Sequence, residues 1–491
     1  MGGGVRPRRP GRMTGPAAPP GRMTGPAAPP GRMTRPAAQP GGGSGTVCVI
    51  GGGLAGIAAA IRLADLGLSV TLLEARPELG GATYSFSRGG LSVDTGQHVF
   101  LRCYHTYRRL LDRLGTAGDT HLQPRFTVPV LLPGRRPQVL ARRRLPAPAH
   151  LLPALAGYRL LSPAERLAAV RASAALRHVD PDLPATDERS FGDWLASHGQ
   201  SRRAVQRLWD LITVAALNLP STHASLALAA RVFRTGLLEA ADAGDIGRPL
   251  VPLTDLHGVP ARRLLGRLGV RVHTRARVRW IRPEATGFRI GVDDTELDAD
   301  SVVLSVPHQA AASLVPPVAA PTAEQWHRLG AAPIVNVHLR YAAKVTDLDM
   351  AVAVESPAQW IFDRSVPGGN GEQHLVVSLS AADAEIERPT AELVSAQRQA
   401  LADLFPAARH TPVRDAFVTR EPKATFRQAP GTRAYRPGAA TRLPGLALAG
   451  AWTDTGWPDT MEGAVRSGEH AADIVAHQLL FRPRHHSEAA S

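Results

Sequence analysis

A glycine-rich turn close to residue 50 has the spacing of a phosphate-binding loop. It reads Gly51-Gly52-Gly53-Leu54-Ala55-Gly56 and follows a run of strand-forming apolar residues. In this pattern Gly51 permits the tight turn, Gly53 lets backbone N–H groups approach a pyrophosphate, and Gly56 lets helix and strand pack closely. Glu74 follows about twenty residues later, where it can accept a hydrogen bond from a ribose hydroxyl. The segment predicts a βαβ unit, with an amphipathic helix at Ala58–Leu66, that holds a dinucleotide at a helix N-terminus.

The residues after this acid indicate which dinucleotide is bound. The chain continues as Glu74-Ala75-Arg76-Pro77-Glu78-Leu79-Gly80-Gly81-Ala82-Thr83. This resembles the E-A-R-x-x-x-G-G segment of FAD enzymes in the amine oxidase and phytoene desaturase superfamily, where it wraps the second half of the pyrophosphate. The resemblance implies FAD as the cofactor. Many relatives carry Arg where this chain has Ala82, so a charge contact to the cofactor is missing or supplied elsewhere.

A second segment near the C terminus resembles the flavin-binding end of the same superfamily. A strand-like run ends at Gly450, a loop follows, and a helix is expected to open near Met461. N–H groups at a helix N-terminus can face the N1/C2 edge of a flavin, where negative charge grows on reduction. Relatives usually carry Asp directly after the glycine to bond the ribityl chain. Here that residue is Ala451, and Asp454 is the candidate substitute. The resemblance also places Val278 at the adenine side.

Three further segments resemble one subfamily, the squalene-associated FAD-dependent desaturases, which are understood as hydroxysqualene dehydroxylases. They are Asp94-Thr95-Gly96-Gln97-His98 with Cys103-Tyr104, then Leu208-Trp209 with Ala216-Leu217-Asn218-Leu219-Pro220, and Thr455-Gly456-Trp457-Pro458 before Met461. The resemblance implies that hydroxysqualene, a C30 allylic alcohol, loses its hydroxyl and gains a hydride from reduced FAD to give squalene. The product would enter hopanoid or related triterpene synthesis.

The resemblance also implies where the chemistry occurs. The Gly96-Gln97-His98 turn is expected beside the isoalloxazine, with Gln97 touching the cofactor. A general acid near the hydroxyl would help it leave as water, and His98 is the candidate, with Asp94 orienting the turn. The alternative is that His98 is a structural hydrogen-bonding residue and Asp94 a cap.

Three other functions compete with this one. Flavin amine oxidases share the FAD motifs, but they place a lysine where this chain has Asn336 and an aromatic residue where it has Thr460. Carotenoid-type desaturases share the fold and a lipid substrate but run the flavin in the oxidising direction. A lipid-binding protein that has lost FAD is the non-catalytic alternative, and the retention of Glu74 argues against it.

The expected fold is α/β: a Rossmann-like FAD-binding domain interleaved with an α+β substrate domain of antiparallel sheet plus helices. At 491 residues the chain is long enough for two domains. The predicted boundaries are a disordered Pro/Gly/Arg-rich repeat tail at 1–44, FAD-binding parts at 45–120, 256–320 and 431–478, a helical substrate- or membrane-facing part at 121–255, a substrate-domain sheet at 321–430, and a disordered tail at 479–491.

Charge and composition bear on partners and location. The net charge is +15, and the two cysteines offer no disulfide framework or metal spacing. With no signal peptide or spanning segment in view, a cytoplasmic protein is expected, peripheral on the inner face of the cell membrane. A basic cluster precedes a leucine-rich segment and consists of Arg135, Arg136 and Arg142–Arg144. This pattern is typical of proteins that bind the surface of an anionic bilayer. The alternative is a solvated loop before a core helix. No nucleic-acid partner is expected, and contact with squalene-pathway synthases is possible.

Overall fold

The computed structural model describes residues 1–2, 45–365 and 371–480, which form twenty strands and thirteen α-helices. The strands are β1 (Thr46–Ile50), β2 (Ser69–Glu74), β3 (Ser85–Arg88), β4 (Leu91–Asp94), β5 (Phe100–Leu101), β6 (Thr120–Leu122), β7 (Thr127–Leu131), β8 (Gln138–Ala141), β9 (Ile246–Pro249), β10 (Arg271–Thr274), β11 (Val278–Glu284), β12 (Gly287–Val292), β13 (Thr295–Ala299), β14 (Ser301–Leu304), β15 (Ala332–Tyr341), β16 (Met350–Ala353), β17 (Trp360–Asp363), β18 (Gln373–Ser380), β19 (Val413–Thr425) and β20 (Leu446–Leu448). The helices are α1 (Leu54–Asp65), α2 (His105–Leu114), α3 (Leu152–Ala156), α4 (Pro163–Leu176), α5 (Pro184–Asp187), α6 (Phe191–Ser197), α7 (Arg202–Ala204), α8 (Asp210–Leu217), α9 (Leu226–Phe233), α10 (Val259–Arg267), α11 (His308–Leu314), α12 (Thr390–Leu404) and α13 (Met461–Leu480).

Five parallel strands form the sheet that carries the glycine turn, in the order β10-β2-β1-β14-β20. Their apolar residues are buried on both faces, as expected of a parallel sheet covered on each side. Helices α1 and α13 pack together over one face, where Gly468 lets α13 approach the backbone of Ala55. The carboxyl ends of β1 and β2 meet at one edge, so the turn and Glu74 are neighbours there.

A seven-stranded sheet forms the second layer, in the order β19-β15-β18-β17-β16-β7-β8. One face carries Val335, Val337 and Ile361 and packs on α12 in an apolar core. The other, here called the inner face, carries Asn336, His338 and Phe362 and lies toward the FAD-binding part. Because successive side chains of a strand alternate between faces, this division follows from the sequence of each strand.

The structure corrects two of the predicted segments. Residues 121–255, expected to be helical, also contain β7 and β8, which extend the substrate-domain sheet. The sheet is therefore mixed rather than antiparallel, because β16 pairs with β7 in parallel. The sequence did not predict β7, because its short apolar stretch is surrounded by arginines and prolines.

Two smaller differences concern element ends. Helix α1 begins at Leu54, at the turn itself, rather than near residue 58. Helix α13 continues to Leu480, so residues 479 and 480 belong to it and not to a disordered tail. The rest of that predicted tail and nearly all of the N-terminal repeat, residues 3–44, lie outside the described residues. Across 45–365 and 371–480, no helix has the length and apolar character needed to cross a bilayer.

Candidate active site

The glycine turn leaves no room for side chains. Gly51 adopts a positive φ of 107°, and its N–H donates to the carbonyl of Leu73 at 2.8 Å. A Cβ on Gly56 would collide with the carbonyl oxygen of Gly51. Both glycines are therefore required by the approach of α1 to β1, as the sequence spacing predicts.

The start of α1 is shaped to receive an anion. No side chain of the described residues caps this helix at Gly53, and its first turn contains no acid. Leu54 and Ala55 form that first turn and are buried. The first N–H groups of a helix have no partner within it, and its dipole favours negative charge there. The segment therefore fits the pyrophosphate of a dinucleotide.

A second glycine pair closes on the turn. The Gly80 N–H donates to the carbonyl of Gly52 at 2.8 Å, and Gly81 sits so close that a Cβ on it would lie 2.8 Å from the Gly53 Cα. The Thr83 hydroxyl donates to the Gly80 carbonyl and fixes this loop. Two backbone segments without side chains thus face each other, which is the cradle that a pyrophosphate needs.

Glu74 is buried, and its carboxylate anchors the glycine turn. One carboxylate oxygen accepts from the Gly52 N–H at 2.6 Å and the other from the Arg76 N–H at 2.7 Å. Arg76 is exposed, and its guanidinium donates to the Gly81 carbonyl at 3.1 Å. Ala75 and Ala82 are exposed at the rim. Ala82 has no charge to offer a cofactor, and the cation beside it is Arg76.

The loop after Gly450 is shaped by a buried arginine that no sequence motif predicted. The Arg436 guanidinium donates to the carbonyls of Ala451, Trp452, Thr453 and Trp457, at distances from 2.5 to 3.2 Å. Burial lowers the pKa of the Arg436 guanidinium from its usual value. The guanidinium also lies over the ring of Phe426. No local pattern marks Arg436, because its partners lie 15 to 21 residues later in the chain.

Asp454 pairs with a residue that precedes β20 in the chain. One of its carboxylate oxygens accepts from the Arg433 guanidinium at 3.2 Å. Its substitution for the missing acid at Ala451 stays a prediction. Met461 opens α13 as expected, and the Thr460 hydroxyl accepts from the Gly463 N–H.

The residue after Met461 has a role that the motif did not reveal. Glu462 is fully buried, and its carboxylate accepts from the backbone N–H groups of Thr106 and Tyr107 at the start of α2. A carboxylate at a helix N-terminus is stabilised by the free donors there. Glu462 therefore ties α13 to the segment that follows the His98 turn.

The Gly96-Gln97-His98 turn lies between the FAD-binding part and the inner face. Asp94 is buried and accepts from Ser85, from the Leu253 N–H and from Arg364, so it joins three segments. His98 bonds through Nδ1 to the Gly96 carbonyl at 3.1 Å, and burial lowers the pKa of its ring. Because a carbonyl only accepts, Nδ1 carries the proton and the neutral ring presents Nε2 as an acceptor. The role of His98 as an acid stays a prediction, and it requires a doubly protonated ring.

The inner face changes character along the sheet. Beside the turn it is polar: the Asn336 amide donates to the Thr95 carbonyl at 3.5 Å and to the Thr419 hydroxyl at 3.3 Å. Farther along, Phe362 and the inward residues of β16 and β7 pack with Tyr158 in an apolar cluster. The face is therefore polar where the turn approaches it and apolar toward β7.

Two motif residues of the resembled subfamily are structural. Asn218 ends α8 in a left-handed conformation, and its side chain donates to the Ala332 carbonyl and accepts from the Ala381 N–H. It fastens the helical part to one end of the β15–β18 pair, where β15 begins and β18 ends. Tyr104 meets Trp457 edge to face with ring centroids 5.9 Å apart, so the first and third motifs touch. Val278 is buried at the start of β11, close to the strand end that carries Glu74, and its contact with the adenine side of the cofactor stays a prediction.

The family model described as flavin containing amine oxidoreductase matches residues 54–476. The chain belongs to the flavin-containing amine oxidoreductase family. FAD is thus its cofactor, and the uncapped α1, the facing glycines and Glu74 are the residues of this chain that fit it.

Relatives within the family fall into different activities. The chain is 32% identical over 445 residues to a hydroxysqualene dehydroxylase of Rhodopseudomonas palustris, covering 88% of this chain and 98% of that protein. It is 26% identical over 481 residues to a zeta-carotene desaturase of Zea mays, covering 87% and 83% respectively. Among solved structures, a cyclohexylamine oxidase from Brevibacterium oxydans superposes with a TM-score of 0.67 at 19% identity, covering 89% of this chain and 99% of that one. These comparisons establish an FAD-dependent oxidoreductase of the predicted fold.

Proposed function

We propose that this flavoenzyme reduces hydroxysqualene to squalene. The observation that carries the proposal is the polarity of the inner face, which is polar at the His98 turn and apolar beyond it. A long hydrocarbon with one hydroxyl matches such a surface. A carotene has no hydroxyl group that could bond to the polar part of the inner face. The 32% identical hydroxysqualene dehydroxylase and the Gln97-His98 and Asn218 motifs support the same choice.

The reaction divides between cofactor and protein. Bound reduced FAD supplies a hydride to carbon, which is chemistry no side chain offers. The carbon–oxygen bond breaks, and the oxygen needs one proton to leave as water. The protein must therefore bury the hydrocarbon against the apolar part of the inner face, exclude bulk water, and hold a proton donor at the polar part.

Anaerobic turnover tests this proposal. Holoenzyme reduced with dithionite and mixed with hydroxysqualene in detergent should yield squalene, detected by its mass. A parallel reaction with oxidised holoenzyme, zeta-carotene and a quinone tests the desaturase alternative. Squalene formation with no change in the carotene is expected. Carotene oxidation with the alcohol unchanged would replace the proposed activity with desaturation.

We also propose that the enzyme reaches its substrate from an anionic membrane. Residues 120–164 contain seven arginines and no Asp or Glu. Within them lies an exposed basic–apolar surface on the β7–β8 hairpin, the loop that follows it and the start of α3, which consists of Arg135, Arg136, Val139, Arg143, Arg144, Leu145 and Leu152. Arg142, in contrast, pairs with buried Asp245. Cations beside exposed aliphatic side chains match an anionic headgroup layer above hydrocarbon.

The position of this surface fits substrate entry. Leu151 and Leu155 pack against the apolar cluster under β7 and β16, while Leu152 points outward and is 45% exposed. The surface therefore covers the apolar end of the inner face. A hydrocarbon leaving the bilayer here would meet apolar residues first and the polar turn last.

Vesicle binding tests the membrane proposal. Wild-type protein should sediment with vesicles of phosphatidylglycerol and phosphatidylcholine, and less with pure phosphatidylcholine. Replacing Arg135, Arg136, Arg143 and Arg144 with Gln should weaken binding, since each basic residue near the surface contributes about 1 kcal/mol. The matched control replaces exposed Arg262, Arg263, Arg275 and Arg409, which lie elsewhere. Equal loss in both variants would show that net charge, not this surface, drives binding. Contact with squalene-pathway synthases and a location at the inner face of the cell membrane stay predictions.

A further inference from the structure

Two polar atoms on the inner face are buried without a partner among the described residues. They are Asn336 Oδ1 and His338 Nε2, and both side chains are at most 1% exposed. The residues are two apart on β15, so their side chains project on the same side of the sheet. A buried polar atom without a hydrogen bond costs about 1–3 kcal/mol, so two neighbouring ones point to a bound ligand.

The surroundings hold both side chains in place. Asn336 donates through its amide to Thr95 and Thr419, which leaves Oδ1 as a fixed acceptor. The His338 ring stacks on Phe417 with centroids 4.3 Å apart, and the Arg88 guanidinium covers the ring of Phe417 at 4.0 Å. These contacts orient the two atoms before a ligand arrives, which lowers the entropy cost of binding.

His338 has a second imidazole behind it. Its Nδ1 lies 3.2 Å from Nε2 of His374, and His374 is half-buried at the edge of the cluster. Burial lowers the pKa of His338 to about 3 and that of His374 to about 4, so both rings are neutral. When His374 donates to His338, the remaining proton of His338 resides on Nε2. The unpartnered nitrogen is then a donor beside the acceptor of Asn336.

We propose that Asn336 and His338 bind the hydroxyl group of the substrate, and that the His374–His338 pair delivers the proton with which this group leaves as water. The inference rests on the proposed function, because a hydroxyl that donates to Oδ1 and accepts from Nε2–H satisfies both atoms. His98 differs, since its Nδ1 is held by the Gly96 carbonyl and its Nε2 only accepts.

The proton and electron balance is complete. The carbon–oxygen bond breaks, the oxygen takes the Nε2 proton of His338, and a hydride from the reduced flavin forms the new carbon–hydrogen bond. The carbon is reduced and the flavin oxidised. His338 regains a proton at Nδ1 from His374, and His374 takes one from solvent at its other nitrogen. Both rings are then in the opposite tautomer, and exchange of their protons with water restores the Nε2–H of His338 before the next turnover. Each ring stays neutral throughout, which agrees with their burial.

Binding and turnover of three variants test the proposal. The variants are Asn336→Leu, His338→Phe and His374→Phe, and the matched control is His410→Phe, at an exposed site of the same domain. In oxidised holoenzyme, the first two should weaken hydroxysqualene binding about tenfold or more, with squalene binding within about twofold of wild type. His374→Phe should leave binding within about twofold but lower kcat at least about tenfold, and added imidazole should restore part of it. The control should match wild type.

The outcomes separate this proposal from the proposed function. Equal weakening of alcohol and hydrocarbon binding, or full kcat in His374→Phe, would overturn the hydroxyl site and its relay. Binding needs no turnover, so a wild-type enzyme that prefers the alcohol but forms no squalene would refute the reaction while supporting the site. If His338→Phe fails to retain FAD, His338→Gln should keep the affinity for the alcohol and lose kcat.

Discussion

The two segments that hold the cofactor are built differently. At the N-terminal glycine turn, the shaping contacts join residues that lie within one βαβ unit, such as Gly51 with Leu73 and Gly52 with Glu74. At the C-terminal loop, the shaping contacts come from Arg436, which lies before the strand that leads into the loop. In the first segment, glycines let two backbone stretches approach and Glu74 of the same βαβ unit anchors the turn, whereas the second segment is fixed by a side chain that lies outside the loop.

The backbone of the C-terminal loop is held without an acid at Ala451. In relatives, an aspartate at this position bonds the ribityl chain. Here the Ala451 carbonyl instead accepts from Arg436, as do three carbonyls that follow it. The backbone of the loop is therefore fixed from within the protein. We infer that the glycine turn supplies a larger share of the affinity for FAD than the loop does.

A methyl group at the glycine turn should give the largest effect. In Gly56→Ala, the new Cβ would overlap the Gly51 carbonyl oxygen, so strand and helix must separate. The protein should purify without FAD and lose about 3 kcal/mol or more of unfolding free energy. Chemical denaturation and the visible spectrum measure both. Gly266→Ala is the matched control: it lies in α10 with no atom near its Cβ position, and it should stabilise by up to about 1 kcal/mol.

Removing the buried arginine should have the next largest effect. Arg436→Met keeps the apolar stem but leaves four carbonyls of the loop without their donor. The free energy of unfolding should fall by about 2–4 kcal/mol, and FAD should dissociate more readily. Arg433→Met, at a half-buried neighbour that pairs with Asp454, should cost about 1 kcal/mol or less. Equal effects of the two substitutions would show that Arg436 does not organise the loop.

The contrast also marks what could be predicted from the sequence. The Rossmann-like FAD-binding part and the edge that collects Gly51 and Glu74 follow from local patterns. These features depend on periodicity and glycine spacing, which a single chain displays directly.

What could not be predicted depends on contacts between distant segments. Arg436, Glu462 and the His338–His374 pair act through partners that only the folded chain brings together. The strand β7 was not predicted because its short apolar stretch lies among arginines and prolines, and because one of its two pairing partners, β16, lies more than 200 residues away. Asn218 was found as a motif, yet its role in fastening a helix to a sheet needed the structure.

A smaller effect is expected from the acid at the ribose position. In Glu74→Gln, the amide oxygen can still accept from the Gly52 N–H, but the amide nitrogen cannot accept from the Arg76 N–H, so one of the two bonds of this side chain is lost. The loss of charge weakens the acceptor for a ribose hydroxyl, and the affinity for FAD should fall about tenfold. Titration of apoprotein with FAD, followed by flavin fluorescence, measures this change. Glu78→Gln, at an exposed position four residues on, should change the affinity by less than about twofold.

The smallest effect should come from restoring the acid that relatives carry. Ala451→Asp places a carboxylate in the loop that Arg436 already fixes. If the loop backbone is preserved, the carboxylate adds one hydrogen bond to the ribityl chain and tightens FAD by about threefold to tenfold. The double variant Ala451→Asp with Glu74→Gln should then recover most of the lost affinity, because the two sites lie at opposite ends of the cofactor and act independently. Weaker binding of FAD in Ala451→Asp would mean that the new carboxylate pairs with Arg436 and pulls it away from the loop carbonyls. The shape of the loop would then depend on Arg436 more strongly than the shape of the glycine turn depends on Glu74.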